Sequence, residues 1–593
     1  MNGSFAAGEP GHGSRPSGPG AKEKARPAAP SYMLPLNIAF YICLISHLLA
    51  ASNAPIQDCD ETFNYWEPLH YLTHGYGLQT WEYSPEFSIR SWAYILIHAL
   101  PTKIASLLGK SKTFEFYMLR CLLGGVCAAS ETKLYSAISR TVHPRIGVCY
   151  LMIVAFTPGF FYASAAFLPS SFAMYTGTLG LATFLDWRGG PKSGTAIMWF
   201  GTGALLGWPF AGALILPLVL EDCFLDNALN SYMEAVSRCL TILSVQVAID
   251  TFFYRGVVLV PWRLVIYNVF SGEARGPGIF GTEPWHFYVR NLLLNFNLWF
   301  ILAMAAAPLL LLRALLTNQA TTKQIALRTI TLISPFYLWF IIFTLQPHKE
   351  ERFMFPAYPF LALNAAIAFH ILLDWLDSDD PKTLVGKIPA QLKTALVLPV
   401  VLLSINIGLL RIVGTVTSYQ APLKIYEALK EPGMTHAGDT VCFGKDWYRF
   451  PTSFFLPNDV HAKFIKSEFD GLLPGEFLEG KEGLGYLPDY PGTWTMPSGM
   501  NDLNTEDMGK YTDIQHCSFL VDSSFPSTQP SALEPAYSQD EEWEKLACEP
   551  FLDNAATGLL ARTIWVPSFE FIPQRYRRVW GEHCLMRRRG SNS

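Results

Sequence analysis

Charge is scarce in this chain. Only 16% of its 593 residues are Asp, Glu, Lys or Arg, against about a quarter in soluble domains, so an ordinary soluble globule is excluded. Apolar residues fill the gap at 50% of the total, gathered in runs long enough to cross a bilayer. A basic excess is also missing. The formal net charge of −5 gives no electrostatic reason to bind nucleic acid, and no such partner is expected. No Cys/His spacing resembles a zinc site. No basic leader with a small-residue cleavage site is visible, so Leu34 onward is expected to be a retained signal anchor.

Residues 1–32 are rich in Gly, Pro, Ala and Ser and carry Arg15, Lys22, Lys24 and Arg26. That composition cannot bury enough apolar surface to fold, so a disordered tail is expected, on the cytosolic side by its positive charge. The sequon at Asn2 would then never meet glycosylation machinery.

Apolar runs at 34–52, 114–137, 146–164, 170–186, 239–259, 292–316, 328–346, 354–376 and 392–413 are candidate spans. The stretch 195–225, broken at Gly207-Trp-Pro209, reads as a hairpin of two short helices, and 91–108, interrupted by Pro101, as an interfacial helix. The expectation is a polytopic α-helical membrane protein with about eleven membrane helices over residues 33–413. Arg140 with Arg145, Arg188 with Lys192, Lys323 with Arg328, and Lys382 with Lys387 fall on the cytosolic side. The first loop (53–113), the 261–291 loop, the charged knot at His348 and everything after 414 fall on the other.

Residues 414–593 change character to polar, Pro- and Gly-rich and aromatic segments, so a folded soluble domain of mixed α and β is expected there. Its Cys442, Cys517, Cys548 and Cys584 are either two disulfides, with three possible pairings, or four buried thiols. Cys43, Cys121, Cys127, Cys149 and Cys239 read as small apolar fillers of the membrane region.

Chemistry concentrates in two short strings. Asp58-Cys-Asp-Glu-Thr-Phe-Asn-Tyr-Trp-Glu67 puts four carboxylates within ten residues, directly after the first apolar run. Crowded carboxylates raise one another's pKa and can make a general base, with Asp58, Asp60 and Glu61 as candidates. Equally, the string is a hydrated acidic loop or the first turn of a helix, where acids suit the dipole. Asp58 and Asp60 also have an Asp-x-Asp spacing, a weak metal signal. The second string, His348-Lys-Glu-Glu-Arg-Phe353, offers cations at a membrane edge. His348, Lys349 and Arg352 suit a departing phosphate, with Glu350 and Glu351 orienting them, unless the knot only ends two helices. Trp66, Trp81 and Tyr83 can stack on sugars or belong to an interfacial aromatic belt. Glu67 and His70 join them as candidate substrate contacts, while His74 and Arg90 stay open.

Ala54-Pro-Ile-Gln-Asp-Cys-Asp-Glu-Thr-Phe-Asn-Tyr-Trp-Glu-Pro68, Gln79-Thr-Trp-Glu-Tyr-Ser-Pro85, Ala166-Phe-Leu-Pro-Ser-Ser171, Gly207-Trp-Pro-Phe210 and His348-Lys-Glu-Glu-Arg-Phe353 together resemble the α-1,2-mannosyltransferases of asparagine-linked glycosylation. The resemblance covers roughly residues 34–420. It implies a GT-C glycosyltransferase fold in the endoplasmic-reticulum membrane, with dolichyl-phosphate mannose as donor. The implied acceptor is a dolichyl-diphosphate-linked oligosaccharide, mannosylated on the lumenal face at its seventh and ninth mannoses. An inverting displacement with one base follows, Asp60 first, then Glu61, then Asp58. The resemblance also implies neither metal nor cofactor and names no protein partner. A related transferase acting on the glycosylphosphatidylinositol glycan or another branch is the rival enzyme reading, and a lipid or solute transporter the non-enzymatic one.

Overall fold

The structure is a computed structural model describing residues 33–186, 193–225, 229–272, 275–317, 323–378, 383–480 and 489–589. The expected tail, and with it the sequon at Asn2, lies outside these residues, as do Arg188, Lys192 and Lys382.

Among the described residues six helices are long and apolar enough to cross a membrane: Leu36–Asn53, Tyr232–Tyr254, Leu298–Leu316, Leu327–Leu345, Glu351–Leu376 and Ala390–Tyr419. Each coincides with an apolar run of the sequence. The remaining runs are also helical but are interrupted, charged or, in Pro169–Asp186, diluted by Ser, Thr and Gly. Lys112–Thr141 starts at Ser111, whose side chain accepts from the Phe114 amide, with Glu115 in the first turn where the dipole favours an acid. Its Glu131 meets His47 of the first helix at 2.6 Å, both fully buried. Gly124 lets the two helices approach, since a Cβ there would meet the His47 carbonyl oxygen at 3.1 Å.

Proline sets the breaks. The run 146–164 divides into Pro144–Phe156 and Pro158–Ala163, because Pro158 holds Thr157 extended at φ −99° and ψ 142°. In 195–225 a π turn, Gly203–Gly207, runs into Trp208, extended at φ −134° and ψ 112° ahead of Pro209. Trp92–Leu107 forms as one helix with Pro101 inside it.

The C-terminal part carries a five-stranded sheet in the spatial order His461–Phe464, Thr440–Phe443, Phe519–Ser524, Trp580–Arg588, Trp543–Leu552. The first three strands run parallel and the last two pair antiparallel. The central strand Phe519–Ser524 is buried along nearly its whole length, as expected of a strand covered on both faces. Both disulfides form, Cys442–Cys517 and Cys548–Cys584, which resolves the pairing the sequence left open. A two-residue ladder, Leu78–Gln79 against Gly475–Glu476, joins the first loop to this part of the chain.

Candidate active site

The acidic string folds by its own local chemistry. Asp58 is extended at φ −132° and caps the short helix Cys59–Glu61, its Oδ1 accepting from the Asp60 amide at 2.9 Å. A π turn, Thr62–Trp66, follows, then the helix Glu67–His74, closed by Gly75 in the left-handed region at φ 86°. The wider π turn brings residues five apart together: Trp66 Nε1 donates to Glu61 Oε1 at 3.0 Å. The Phe167 amide donates to the same oxygen at 3.0 Å, so Glu61 is a buried acceptor tying in the 166–171 motif. Burial pushes its carboxyl up, against the pull of Arg120.

Asp58 and Asp60 meet Arg352. Arg352 Nε lies 3.1 Å from Asp58 Oδ2 and its Nη2 lies 2.5 Å from Asp60 Oδ2. The same guanidinium also holds Glu350. His348 Nε2 lies 3.0 Å from Glu350 Oε1, and its Nδ1 lies 2.8 Å from the Gly281 carbonyl oxygen. Both partners accept, so the arrangement suits the imidazolium form of His348, which donates from both ring nitrogens. Burial works against this charge, but the bonds to Glu350 and Gly281 raise the His348 pKa above its ordinary value. Burial likewise favours the neutral acid at Glu350, yet Arg352 and His348 hold it down at about 2. Asp58 goes the other way. Its burial outweighs the attraction of Arg352 and pushes it up to about 7.

A second arginine completes the cluster. Arg90 Nε donates to Glu82 Oε2 at 2.5 Å and its Nη1 to the Tyr65 hydroxyl at 2.7 Å, with Nη2 3.8 Å from Asp60 Oδ2. The sequence left Arg90 open and did not single out Glu82 or Tyr65. The signal available was the position of Glu82 inside the Gln79–Pro85 motif, eight residues before Arg90.

These groups line a cavity of about 1130 Å³. Its charged lining includes Asp58, Asp60, Glu82, Arg90, His348, Glu350 and Arg352, and its apolar lining includes Trp208, Phe210, Leu264, Ile342 and Phe343. Trp81 lines it too, its ring 5.2 Å from that of Tyr267. A smaller chamber of about 380 Å³ shares Asp58, Cys59, Leu168, Glu350 and Arg352 with the first. Glu351 faces this smaller chamber and accepts from Asn291 at 2.7 Å and Asn295 at 2.8 Å.

Other sequence candidates sit elsewhere. Lys349 Nζ donates to the backbone carbonyls of Glu283, at 2.8 Å, and Gln346, and it is not among the cavity-lining residues. Trp66 is fully buried between Phe116, Phe167 and Phe454. Tyr83 is buried with its hydroxyl donating to the Asn64 carbonyl oxygen at 2.7 Å. His70 is buried with Nδ1 2.7 Å from the Tyr76 carbonyl oxygen, and burial drives its pKa well below the ordinary histidine value.

Glu67 is wholly buried and accepts four hydrogen bonds: from the Leu78 amide at 3.0 Å, Thr452 Oγ1 at 2.8 Å, the Ser453 amide at 2.7 Å and Ser453 Oγ at 2.9 Å. It clamps the first loop to the C-terminal part. Glu67→Ala strands these donors and is expected to destabilise the protein by about 3 kcal/mol or more. Thermal unfolding in detergent checks this, and an unchanged Tm would refute the clamp.

The sequence comparisons bear on what this site does. The family model described as the Alg9-like mannosyltransferase family matches residues 38–457. An α-1,2-mannosyltransferase alg9 of Schizosaccharomyces pombe is 39% identical over 544 residues, covering 90% of this chain and 92% of that protein. An α-1,2-mannosyltransferase ALG9 of Homo sapiens is 38% identical over 550 residues, covering 91% of this chain and 86% of its own. Among solved structures, ArnT from Cupriavidus metallidurans bound to undecaprenyl phosphate overlaps 73% of this chain and 85% of its own at 12% identity, with a TM-score of 0.48.

Proposed function

The chain belongs to the Alg9-like mannosyltransferase family, and from that membership we propose that it transfers mannose from dolichyl-phosphate mannose to a dolichyl-diphosphate-linked oligosaccharide. The linkages formed are α-1,2, at the seventh and ninth mannoses, in assembly of the N-glycan precursor. The enzyme is read as a GT-C protein of the endoplasmic-reticulum membrane with about eleven membrane helices. On this reading its N-terminus is cytosolic, and its active site and a C-terminal domain from residue 414 are lumenal.

One observation carries this reading: a guanidinium fork and two carboxylates in direct contact, Arg352 with Asp58 and Asp60, on the wall of a cavity with an apolar flank. A phosphate needs the fork, a sugar hydroxyl needs the base, and an isoprenoid chain needs the flank. The donor phosphate competes with Asp60 for Arg352, with His348 as a second cation in reach of the same cavity. As the phosphate takes the fork, Asp60 is left to accept the proton of the acceptor 2-hydroxyl. That oxygen attacks the anomeric carbon in line with the departing phosphate oxygen, inverting the configuration in one step. The negative charge growing on the phosphate meets cations already oriented to receive it. From the family membership, the reaction is proposed to run without metal or cofactor.

The direct test supplies purified protein with dolichyl-phosphate mannose and a defined six-mannose lipid acceptor. One added mannose, removable by an α-1,2-specific mannosidase, is expected; no transfer sinks the proposal. The reaction is also expected to slow as pH falls through about 7, where Asp58 takes up a proton and ceases to hold Arg352 as an anion. A kcat/KM profile checks this. Asp58→Asn should flatten the acid limb, and an unaltered limb would remove Asp58 from the pH response.

A further inference from the structure

We propose that residues 559–571 of the C-terminal part are a membrane anchor, a segment that sets its apolar side chains into the bilayer beside the last membrane-spanning helix. The proposal is independent of the reaction. It needs only that Ala390–Tyr419 crosses a membrane, as its length and composition allow.

The first observation is a concentration of exposed apolar side chains. The short helix Leu559–Thr563 and the irregular chain after it expose Leu559 at 71%, Leu560 at 50%, Phe569 at 56% and Phe571 at 82%, with Trp565 exposed as well. The rings of Phe569 and Phe571 stack 5.3 Å apart. Single exposed apolar side chains are ordinary, but a cluster marks a surface that something covers.

Depth decides between lipid and a protein partner. The Trp565 amide donates to the Leu410 carbonyl oxygen at 2.9 Å, and Arg411 Nη1 donates to the Thr563 carbonyl oxygen at 3.2 Å. The segment therefore lies along the helix Ala390–Tyr419. Leu410 is three residues inside the end of the apolar run 392–413, which at 1.5 Å per residue is about 5 Å. That contact sets Trp565 at the boundary of the apolar layer. Gly414 allows the close approach, since a Cβ there would stand 2.8 Å from the Trp565 amide nitrogen and 2.7 Å from Arg578 Nη2. Just beyond the segment, Arg578 ties it to the same helix, donating to the Gly414 carbonyl oxygen at 3.2 Å and to Thr417 Oγ1 at 2.9 Å.

A tryptophan at the boundary with apolar side chains around it is what a bilayer surface selects. Arg562 and Arg575 bracket Trp565, Phe569 and Phe571 in sequence and are exposed, supplying cations for phospholipid headgroups. The C-terminal part then holds the bilayer by this segment as well as by the helix that leads into it.

The experiment places the full chain in nanodiscs containing a phospholipid with a diazirine in its acyl chain. After irradiation, reduction and tryptic digestion, lipid adducts are mapped by mass spectrometry. The peptide Thr563–Arg575 is expected to carry adducts at least about tenfold more often than Tyr511–Lys545, whose stretch 526–530 is exposed and lacks large apolar side chains. Phe569→Glu combined with Phe571→Glu puts two carboxylates where lipid would sit and should cut the Thr563–Arg575 adducts at least about fivefold. Both side chains are exposed, so the Tm of this variant in detergent should match wild type. Adducts on Thr563–Arg575 no more frequent than on Tyr511–Lys545, while peptides of Ala390–Tyr419 are labelled, would overturn the anchor and leave the surface to a protein partner. Unchanged adducts in a folded variant would overturn it equally. If the variant does not fold, hydroxyl-radical footprinting of wild type in nanodiscs decides: Phe569 and Phe571 are protected if the segment is inserted and oxidised like exposed phenylalanines if it is not.

Discussion

Asp60→Asn is expected to yield a folded protein that still binds donor yet transfers mannose at least about 100-fold more slowly. The amide is nearly isosteric, so the place beside Arg352 and Arg90 stays filled, but it cannot accept a proton. Asp60 is also partly exposed to the cavity, its side chain at 32%, so the change removes little packing. Single-turnover transfer, measured beside donor binding, is the check; turnover near wild type would reject Asp60 as the base. Glu61→Gln is the informative companion. Glu61 receives Trp66 and Phe167, so its loss should appear as lowered Tm before it appears in chemistry.

Arg352→Ala should be at least as damaging, through a different term. It leaves Asp58, Asp60 and Glu350 crowded without the cation they share, and it removes the donor-phosphate fork. Losing one preorganised electrostatic group costs about 10²–10³ in rate. Product inhibition by dolichyl phosphate should weaken in parallel, because product and donor use the same fork. Arg352→Lys, a point charge without bidentate geometry, is expected to fall between. Wild-type donor KM and inhibition in Arg352→Ala would rule out a phosphate role.

What sequence reading could and could not reach follows from the physics of each feature. The six longest apolar helices were legible because a bilayer demands uninterrupted apolar length. The cut at Pro158 was less so, since one proline in an apolar run reads as a kink as readily as a break. Asp60 and Arg352 stand 292 residues apart, yet their chemistry is complementary and the sequence paired them. Glu67 stood in the same acidic string, and nothing local distinguishes a proton acceptor from an anchor. Its partners Thr452 and Ser453 lie more than 380 residues away in a stretch with no motif. Lys349 shows the converse, a cation of the right type that spends its donors on backbone carbonyls.

The Glu67 clamp bears on when this protein becomes competent during its own synthesis. The ribosome delivers the acidic loop early, but the residues that lock it, with Pro451 accepting from Thr62 and Leu478 from Tyr71, emerge only after three quarters of the chain. Until then the Glu67 carboxylate has only the Leu78 amide of its four donors and must stay hydrated. The nascent chain is therefore expected to carry an open, inactive loop through most of translation, and a stop codon anywhere before residue 453 should yield an inserted but inert polypeptide.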